Sequence, residues 1–284
     1  MTIGAIIILY NPNIQLINET LKNLLPQVDC AYVIDNSETN YYNYIIKSDK
    51  IKYKPLYQNI GIAAAQNIGI EYFIEQNFDF IIFSDQDSIS PNGLVQKLYD
   101  TYLHIKDKIN ISAIGPMPIN RKSGKPYLNK QYIIAKEKNE EYEYYKMHSI
   151  ISSYSLIPIK NFNTVGLMEE HLFIDFVDQE WCWRAHYFNN MTCILVPDIT
   201  ITHELGISKK FLGKRISISS PFRIYFQTRN LLWLIKRDYV PLYWKRTNIK
   251  KLIYKIIYYS LFSNKRIIYI KNIFKGIFDG LTQK

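Results

Sequence analysis

The sequence contains few cysteines, and none of them forms a metal-binding or redox motif. Cys30, Cys182 and Cys193 lie far apart along the 284 residues, and no Cys-x-x-Cys pair occurs. A disulfide-rich scaffold or a cysteine-ligated zinc site needs more cysteines at closer spacing. The thiols are therefore expected to be reduced and buried, which fits a reducing compartment.

Long hydrophobic runs, a basic leader and low-complexity segments are also missing. No stretch approaches the roughly 20 consecutive apolar residues that a membrane span needs. The apolar run at residues 3–9 has no basic segment before it and is stopped by Asn11-Pro12, so it predicts a core strand rather than a signal peptide. With 48% hydrophobic and 21% charged residues and no internal repeat, the chain is expected to be globular.

Short apolar segments alternate with helical patterns along the first hundred residues. Strands are predicted at about 3–9, 31–34, 51–57 and 80–83, and helices at about 14–25, 62–77 and 91–103. Ser90 is the predicted N-cap of the last helix, with Pro91 as its first residue. This β-α-β alternation predicts a parallel sheet with crossover helices. Further strands are expected at 111–115, 149–159 and 193–201, and residues 120–147 are expected to be a mobile excursion beside the site.

Short polar side chains end four successive predicted strands. They are Asn11, Asp35-Asn36, Asn59, and the pair Asp85 and Asp87. Because ligands bind at the carboxyl ends of parallel strands, these residues are expected to share one binding edge. Magnesium commonly takes one or two carboxylates and completes its shell with phosphates and water. Asp85-Gln86-Asp87 therefore predicts a metal–diphosphate site, although solvated turns also favour Asn and Asp at strand ends.

A second acidic cluster occupies a predicted helix that opens within 169–184. On a helix Asp175 and Asp178 would share a face, whereas Glu180 would point about 160° away from Asp178. The helix face with Asp175 and Asp178 could then face the site, while Glu180 would contact either the rest of the protein or an acceptor. The competing interpretation is that these acids only stabilise the positive end of the helix dipole.

The ordered set of motifs resembles the family 2 inverting glycosyltransferases of the GT-A fold. The resemblance spans about residues 3–230 and rests on Tyr10-Asn11-Pro12, Asp35-Asn36-Ser37, the segment 59–67, Asp85-Gln86-Asp87, the segment 178–184, and His203. The sequence of residues 173–181 and the Arg229-Asn230 pair look most like those of rhamnosyltransferases that act on bacterial surface polysaccharides. This chain has Val177 and Gln86 where many relatives carry further acids, and Gln86, in the middle of the acidic motif, leaves its metal dependence open.

The resemblance implies a fold, a reaction and a substrate class. The fold would be α/β, a mostly parallel Rossmann-like central sheet flanked by helices. The reaction would be inverting transfer of a sugar from a nucleoside-diphosphate donor to a hydroxyl of a glycan or lipid-linked saccharide. We expect dTDP-rhamnose as the donor, with a UDP-hexose as the alternative. A non-catalytic nucleotide-sugar-binding protein is the alternative of another class.

The resemblance also implies a role for each site residue. Asp178 would be the catalytic base, and Asp87 with His203 would bind Mg²⁺ or Mn²⁺. Donor contacts would come from Tyr10, Asn11, Pro12, Asp35, Asn36, Asn59, Gly61, Asn67, Asp85, Gln86 and Arg229. Acceptor contacts would come from Asp175, Glu180 and Trp181.

The net charge of +10 is concentrated in the last residues. Residues 236–284 hold 12 Lys and Arg but only two Asp and Glu, with many aromatic residues between them. This step predicts a glycosyltransferase domain at 1–235 and a basic helical extension at 236–284. Interleaved basic and aromatic residues suit a membrane surface. The resemblance implies a place in the cytoplasm at the inner face of the cell membrane, where family relatives usually act. A packed subdomain or a homodimer interface are the alternatives, and nucleic-acid binding is not expected because the neutral sheet domain would then lack a purpose.

Overall fold

In the computed structural model the chain forms a nine-stranded sheet with helices on both faces. The structure describes residues 1–121, 124–128, 130–138, 141–203, 208–211 and 214–282, and at 203, 208–210 and 214–216 the backbone alone. The strands are β1 (Ile3–Leu9), β2 (Cys30–Asp35), β3 (Ile51–Pro55), β4 (Phe80–Asp85), β5 (Ile111–Asn120), β6 (Ile133–Lys138), β7 (Glu143–Met147), β8 (Leu156–Pro158), β9 (Thr192–His203), β10 (Ser208–Phe211) and β11 (Lys214–Ser217). The α-helices are α1 (Ile14–Leu24), α2 (Ile62–Glu75), α3 (Leu94–Ile105), α4 (Lys160–Val165), α5 (Val177–Asn189), α6 (Pro221–Ile235), α7 (Leu242–Phe262) and α8 (Arg266–Thr282).

The sheet order is β3-β2-β1-β4-β8-β5-β9-β7-β6. The first four of these strands are parallel to one another, and β5 is parallel to β9. Strand β8 runs antiparallel between β4 and β5, and the β6–β7 hairpin adds antiparallel strands beside β9. The predicted α/β fold with crossover helices is confirmed.

Strand β1 is buried on both faces, as its unbroken apolar sequence requires. Ile6 packs in a cluster with Phe73 of α2, whereas Ile7 packs on the opposite face with Leu21 of α1 and Leu98 of α3. Successive strand residues point to opposite faces, so one apolar strand supplies both cores. The helices therefore cover both faces of the sheet and leave its carboxyl edge open.

The register brings the polar strand ends together at that edge. Ile8 of β1 lies opposite Asp85 of β4, and Leu9 lies opposite Asp35 of β2. Asp35 in turn lies opposite Pro55 of β3, four residues before Asn59. The prediction that four strands end at one edge is confirmed.

Helix α3 begins later than the sequence predicts. It starts at Leu94 after Gly93, which has a φ of +76°, and Ser90 and Pro91 lie outside it. The Gln27 side chain donates to the hydroxyl of Ser90 at 3.2 Å and to the carbonyl of Pro91 at 3.1 Å. These contacts hold residues 90–91 in the loop, so the predicted cap at Ser90 is wrong.

The middle of the chain also differs from expectation. Residues 133–138 and 143–147 form the antiparallel pair β6–β7 at the sheet edge, so the expectation of a mobile excursion over 120–147 is wrong for these two segments. Of the strand expected at 149–159, only the short β8 forms. The positive φ of Tyr154, +56°, is incompatible with a strand, and the Tyr154 hydroxyl donates to the carbonyl of Ser88.

Helix α8 packs closely against α6. An added Cβ at Gly276 would lie 2.7 Å from the carbonyl oxygen of Tyr225, so only glycine permits this approach. The Tyr225 hydroxyl donates to Asp279 at 2.6 Å, and the Lys236 ammonium donates to the Gly280 carbonyl at 2.9 Å. Among the described helices, none is both long enough and apolar enough to cross a membrane.

Candidate active site

A cavity of about 570 Å³ opens at the carboxyl edge of the sheet. Its lining comes from the ends of β1, β2 and β4, the start of α2, the segment before α5 and the start of α6. Of the predicted site residues, those that line it are Tyr10, Asn36, Asn59, Gly61, Asp85, Gln86 and Asp87. The structure therefore brings predicted site residues separated by up to 77 positions into one concave site.

Gln86 fastens the end of β4 to the end of β1. Its side-chain oxygen accepts from the backbone N–H of Tyr10 at 2.8 Å, and its amide donates to the Tyr10 carbonyl at 3.2 Å. The middle residue of Asp85-Gln86-Asp87 thus holds the Tyr10 loop in place, while the Asp87 side chain on its C-terminal side stays exposed. Asn11 and Pro12 lie outside the cavity lining, and the Asn11 N–H donates to the Ser37 hydroxyl at 2.9 Å.

Two asparagines join the ends of β2 and β3 to the start of α2. The Asn36 amide donates to the side-chain oxygen of Asn59 at 3.0 Å and accepts from the Ile60 N–H at 2.9 Å. Asn59 also accepts from the N–H of Gly61 at 3.0 Å. Gly61 has a φ of +89°, and a Cβ there would lie 2.7 Å from the ring of Phe173. Only glycine fits both the backbone conformation and the close approach.

Phe173 belongs to a loop, residues 171–176, that forms one wall of the cavity. Three of its non-glycine residues have positive φ, namely Phe173, Asp175 and Phe176. The Phe173 carbonyl accepts from the N–H of Ile62 at 2.7 Å, which ties the loop to the first residue of α2. Positive φ is unfavourable for such side chains, so contacts from elsewhere must hold the 171–176 loop.

Helix α6 supplies these contacts. The Asn230 amide donates to the carbonyls of Leu172 and Ile174, both at 2.8 Å. The Arg229 guanidinium donates to the His171 carbonyl at hydrogen-bond distance and lies 4.1 Å from the Trp233 ring centre. Arg223 makes a bidentate pair with Asp175, with its nearest nitrogen–oxygen distance at 2.7 Å. The sequence pair Arg229-Asn230 is therefore a scaffold for the 171–176 loop.

Asp178, the predicted base, lies in the first turn of α5 beside the cavity. Its carboxylate accepts from the N–H of Gln179 at 2.8 Å and from the N–H of Ser152 at 3.3 Å. Ser152 lines both the main cavity and a small adjoining one that Asp178 reaches. Burial raises the pKa of Asp178 to about 6, with the two N–H donors opposing the rise and Asp85 and Asp175 adding to it. A carboxyl with this pKa can accept a proton near neutral pH.

Three predicted donor contacts have other roles in the structure. The buried Asp35 carboxylate accepts from the backbone N–H groups of Ser37 and Tyr41 and from the Tyr53 hydroxyl. The buried Asn67 amide donates to the Met168 carbonyl and to Glu170. These two residues and the buried Arg229 hold loops and lie outside the cavity lining, so the structure does not bring them to the cavity, and their donor contacts stay predictions.

The three predicted acceptor residues also have partners within the protein. Glu180 is fully buried, and its carboxylate pairs with Arg184 at 3.0 Å and accepts from the Tyr239 hydroxyl at 2.6 Å. Trp181 is 1% exposed, and its indole N–H donates to the Gly166 carbonyl. Both lie outside the cavity lining, so the structure does not bring them to the cavity, and their acceptor contacts stay predictions. Asp175 precedes α5 instead of sharing a helix face with Asp178, and it pairs with Arg223.

The cavity has residues that fit a divalent cation. Asp85 and Asp87 stand together at the end of β4, and one or two carboxylates suffice when phosphates complete the shell. No group of three or more His, Cys, Asp or Glu suited to a metal occurs in the part of the chain that the structure describes. His203 ends β9, but its side chain lies outside the described residues.

Several cavity residues were not singled out as site residues from the sequence. They are Gln66, Ser152, Phe173, Ser220 and Phe222. Gln66 lies inside the 59–67 motif, so its position was a signal that sequence reasoning could have used. Phe222 follows the Ser220 cap and the Pro221 start of α6, and nothing local shows that this helix faces the cavity.

Comparisons with known proteins agree with this geometry. The chain is 33% identical over 290 aligned residues, 98% of this chain and 95% of the relative, to the dTDP-rhamnosyl transferase RfbF of Shigella flexneri. Among solved structures it is similar to GalNAc-T7 crystallised with UDP, GalNAc and Mn²⁺ (TM-score 0.58, 14% identity, 95% of this chain and 55% of that one). It is also similar to residues 1–349 of S. aureus TarS (TM-score 0.54, 13% identity, 99% of this chain and 81% of that one).

The chain spans about half the length of the GalNAc-T7 structure, and at these identities the solved structures bear on the fold alone. The model of the family described as Glycosyl transferase family 2 matches residues 5–166, which cover the strand ends of the cavity but stop before Asp178. With that match and the 33% identity to RfbF over nearly the whole chain, the protein belongs to glycosyl transferase family 2.

Proposed function

We propose that the protein transfers rhamnose from dTDP-rhamnose to a hydroxyl of a glycan or lipid-linked saccharide, with inversion at the anomeric carbon. The observation that carries this proposal is the 33% identity, over 98% of the chain, to a relative named as a dTDP-rhamnosyl transferase. The cavity supports it, because Asp85 and Asp87, which suit a metal–diphosphate, line it, and Asp178, a carboxyl with a raised pKa, accepts a hydrogen bond from Ser152 in its wall.

In the proposed mechanism the chain's residues divide between donor and acceptor. Asp85 and Asp87 would hold Mg²⁺ or Mn²⁺, which as a Lewis acid stabilises the negative charge that develops on the leaving diphosphate. Asn36, Asn59 and Gly61 shape the donor side, and Gln86 keeps Tyr10 at its rim. Asp178 takes the proton of the attacking hydroxyl, and the N–H of Ser152 orients its carboxylate at the cavity wall.

A calorimetric panel of nucleotide-sugars tests the donor. We expect dTDP-rhamnose to bind more tightly than UDP-glucose or UDP-GlcNAc, and its affinity to fall when EDTA removes divalent cations. The metal is expected to matter because the diphosphate would otherwise face Asp85 and Asp87 without charge compensation. Tighter binding of a UDP-hexose would reject dTDP-rhamnose as the donor, and equal affinity with and without EDTA would reject the cation.

We further propose that α7 and α8 bind the inner face of the cell membrane. Large apolar side chains of both helices are exposed, among them Leu261, Phe262, Ile267, Phe274 and Phe278, each at 61–79%. Lysines and arginines are interleaved with them, and each cation near anionic lipid is worth about 1 kcal/mol. We propose that residues 236–284 form an extension of the glycosyltransferase domain at 1–235.

Substitution on the surface of α8 tests the membrane proposal better than truncation, because α8 covers part of α6. The double variant Phe274→Glu/Phe278→Glu is expected to lose most of its co-flotation with phosphatidylglycerol vesicles, since both apolar contacts become charged. Leu103→Glu, at an exposed apolar position on α3, is the control and should float as the parent protein does. If the double variant floats unchanged, or turns a dimer into a monomer without affecting flotation, the membrane proposal fails.

A further inference from the structure

The cavity wall contains a buried polar atom that has no partner. The side-chain oxygen of Gln66, on α2, is buried and accepts no hydrogen bond, and the whole residue is only 4% exposed. Among the described residues, two other buried side-chain atoms share this condition, the indole N–H of Trp183 and the hydroxyl of Tyr243. Gln66 is the one of the three that lines the 570 Å³ cavity.

Loose packing around α2 does not explain why the Gln66 oxygen lacks a hydrogen-bond partner. The next residue, Asn67, is equally buried, and both atoms of its amide are used, in bonds to the carbonyl and N–H of Met168. A buried acceptor without a partner is unfavourable, and an apolar side chain of similar size would avoid the problem. An unpaired acceptor in a cavity wall therefore points to a bond that forms with a bound molecule.

The surroundings of Gln66 indicate which chemistry it would meet. The apolar side chains of Ile6, Ile8, Ile62 and Phe83 line the same cavity, whereas the charged groups Asp85 and Asp87 stand at the end of β4. A neutral acceptor in a cavity with these apolar side chains in its lining suits a neutral donor, an N–H or O–H group, better than a phosphate or a cation. A nucleotide-sugar carries such groups at the edge of its base and on its sugar ring.

We propose that Gln66 is a specificity-determining residue whose side-chain oxygen accepts a hydrogen bond from a neutral N–H or O–H of the bound nucleotide-sugar. This inference rests on the proposed function, since it needs a nucleotide-sugar in the cavity. The bond selects for a donor substrate with a hydrogen-bond donor at that point, because a ligand lacking it leaves the buried oxygen unpaired.

Calorimetry on the full chain tests the proposal with Gln66→Met, which keeps the length and the helix propensity of the side chain but removes the acceptor. We expect the affinity for dTDP-rhamnose to fall about 10- to 100-fold. The melting temperature of the free protein should stay the same or rise, because the substitution removes a buried acceptor that has no hydrogen-bond partner. The control is Glu71→Met, on an exposed position of the same helix, which should change neither quantity.

A second titration with dTDP identifies the partner group. Equal losses for dTDP and dTDP-rhamnose place the bond on the nucleoside, and a loss for dTDP-rhamnose alone places it on the sugar; both outcomes support the proposal. Unchanged affinity of Gln66→Met for both ligands overturns it. Failure of the unsubstituted protein to bind any nucleotide-sugar would instead overturn the proposed function, so the two failures are distinguishable.

Discussion

Replacing Asp178 with Asn is expected to lower kcat by 10²- to 10⁴-fold while leaving donor binding within about twofold. An amide of the same shape keeps an acceptor oxygen for the N–H of Ser152 or Gln179, but it cannot take the proton of the attacking hydroxyl. The loss should appear in kcat rather than in the donor dissociation constant. Initial rates of transfer, with calorimetry of dTDP-rhamnose binding, provide the measurement.

Two comparisons make this prediction specific. Asp107→Asn changes a carboxyl with a side chain 86% exposed and should leave both quantities unaffected. The parent enzyme should lose activity as pH falls through about 6, because protonation of Asp178 removes the base, with about a tenfold loss one unit below its pKa. Turnover retained in Asp178→Asn, or a rate that does not fall down to pH 5, would show that another group acts as the base.

Replacing Asp87 with Asn should weaken cation-dependent donor binding and lower kcat/KM by about 10²-fold or more. Asp87 is the exposed carboxylate at the end of β4, and without it the cation would keep Asp85 as its neighbouring carboxylate in the cavity. The charge on the leaving diphosphate would then be less well stabilised, an effect worth several kcal/mol in metal-dependent sites. The measurement is a Mn²⁺ titration of the transfer rate.

The control for this prediction is Asp49→Asn, an exposed carboxyl outside the cavity. We expect it to respond to Mn²⁺ as the parent protein does. For Asp87→Asn, higher Mn²⁺ should restore part of the rate if Asp85 still binds the ion. A variant with parental activity at every Mn²⁺ concentration would remove Asp87 from the metal site.

The location of the site was predictable from the sequence because it depends on local patterns. Short apolar runs fix the strands, and parallel pairing then brings Asn36, Asn59, Asp85 and Asp87 to one edge. None of this needs knowledge of contacts between distant segments. Helix boundaries were less predictable, as at Ser90, where the Gln27 side chain holds the chain in a loop.

The direction of individual side chains was not predictable, since it depends on segments far apart in the chain. Asn67 bonds to Met168, 101 residues away, and Arg229 bonds to His171, 58 residues away. Glu180 does point away from Asp178, but a helix projection does not show that Tyr239 and Arg184 enclose it. Residue types that suit ligand binding also suit loop scaffolding, and packing alone separates the two uses.

Helix α6 has a consequence for hybrid enzymes made by exchanging C-terminal segments between relatives. One side of α6 holds the 171–176 loop through Asn230, and Gly276 and Asp279 of α8 pack against its Tyr225. A crossover at residue 235 would pair α8 of one parent with α6 of the other. Side chains that did not evolve together would then meet at the close helix contact that Gly276 permits. A crossover near residue 219, before the Ser220 cap, would move α6, α7 and α8 together, and the contacts needing co-selection would then include those between α6 and the 171–176 loop and the bond from Tyr239 to Glu180.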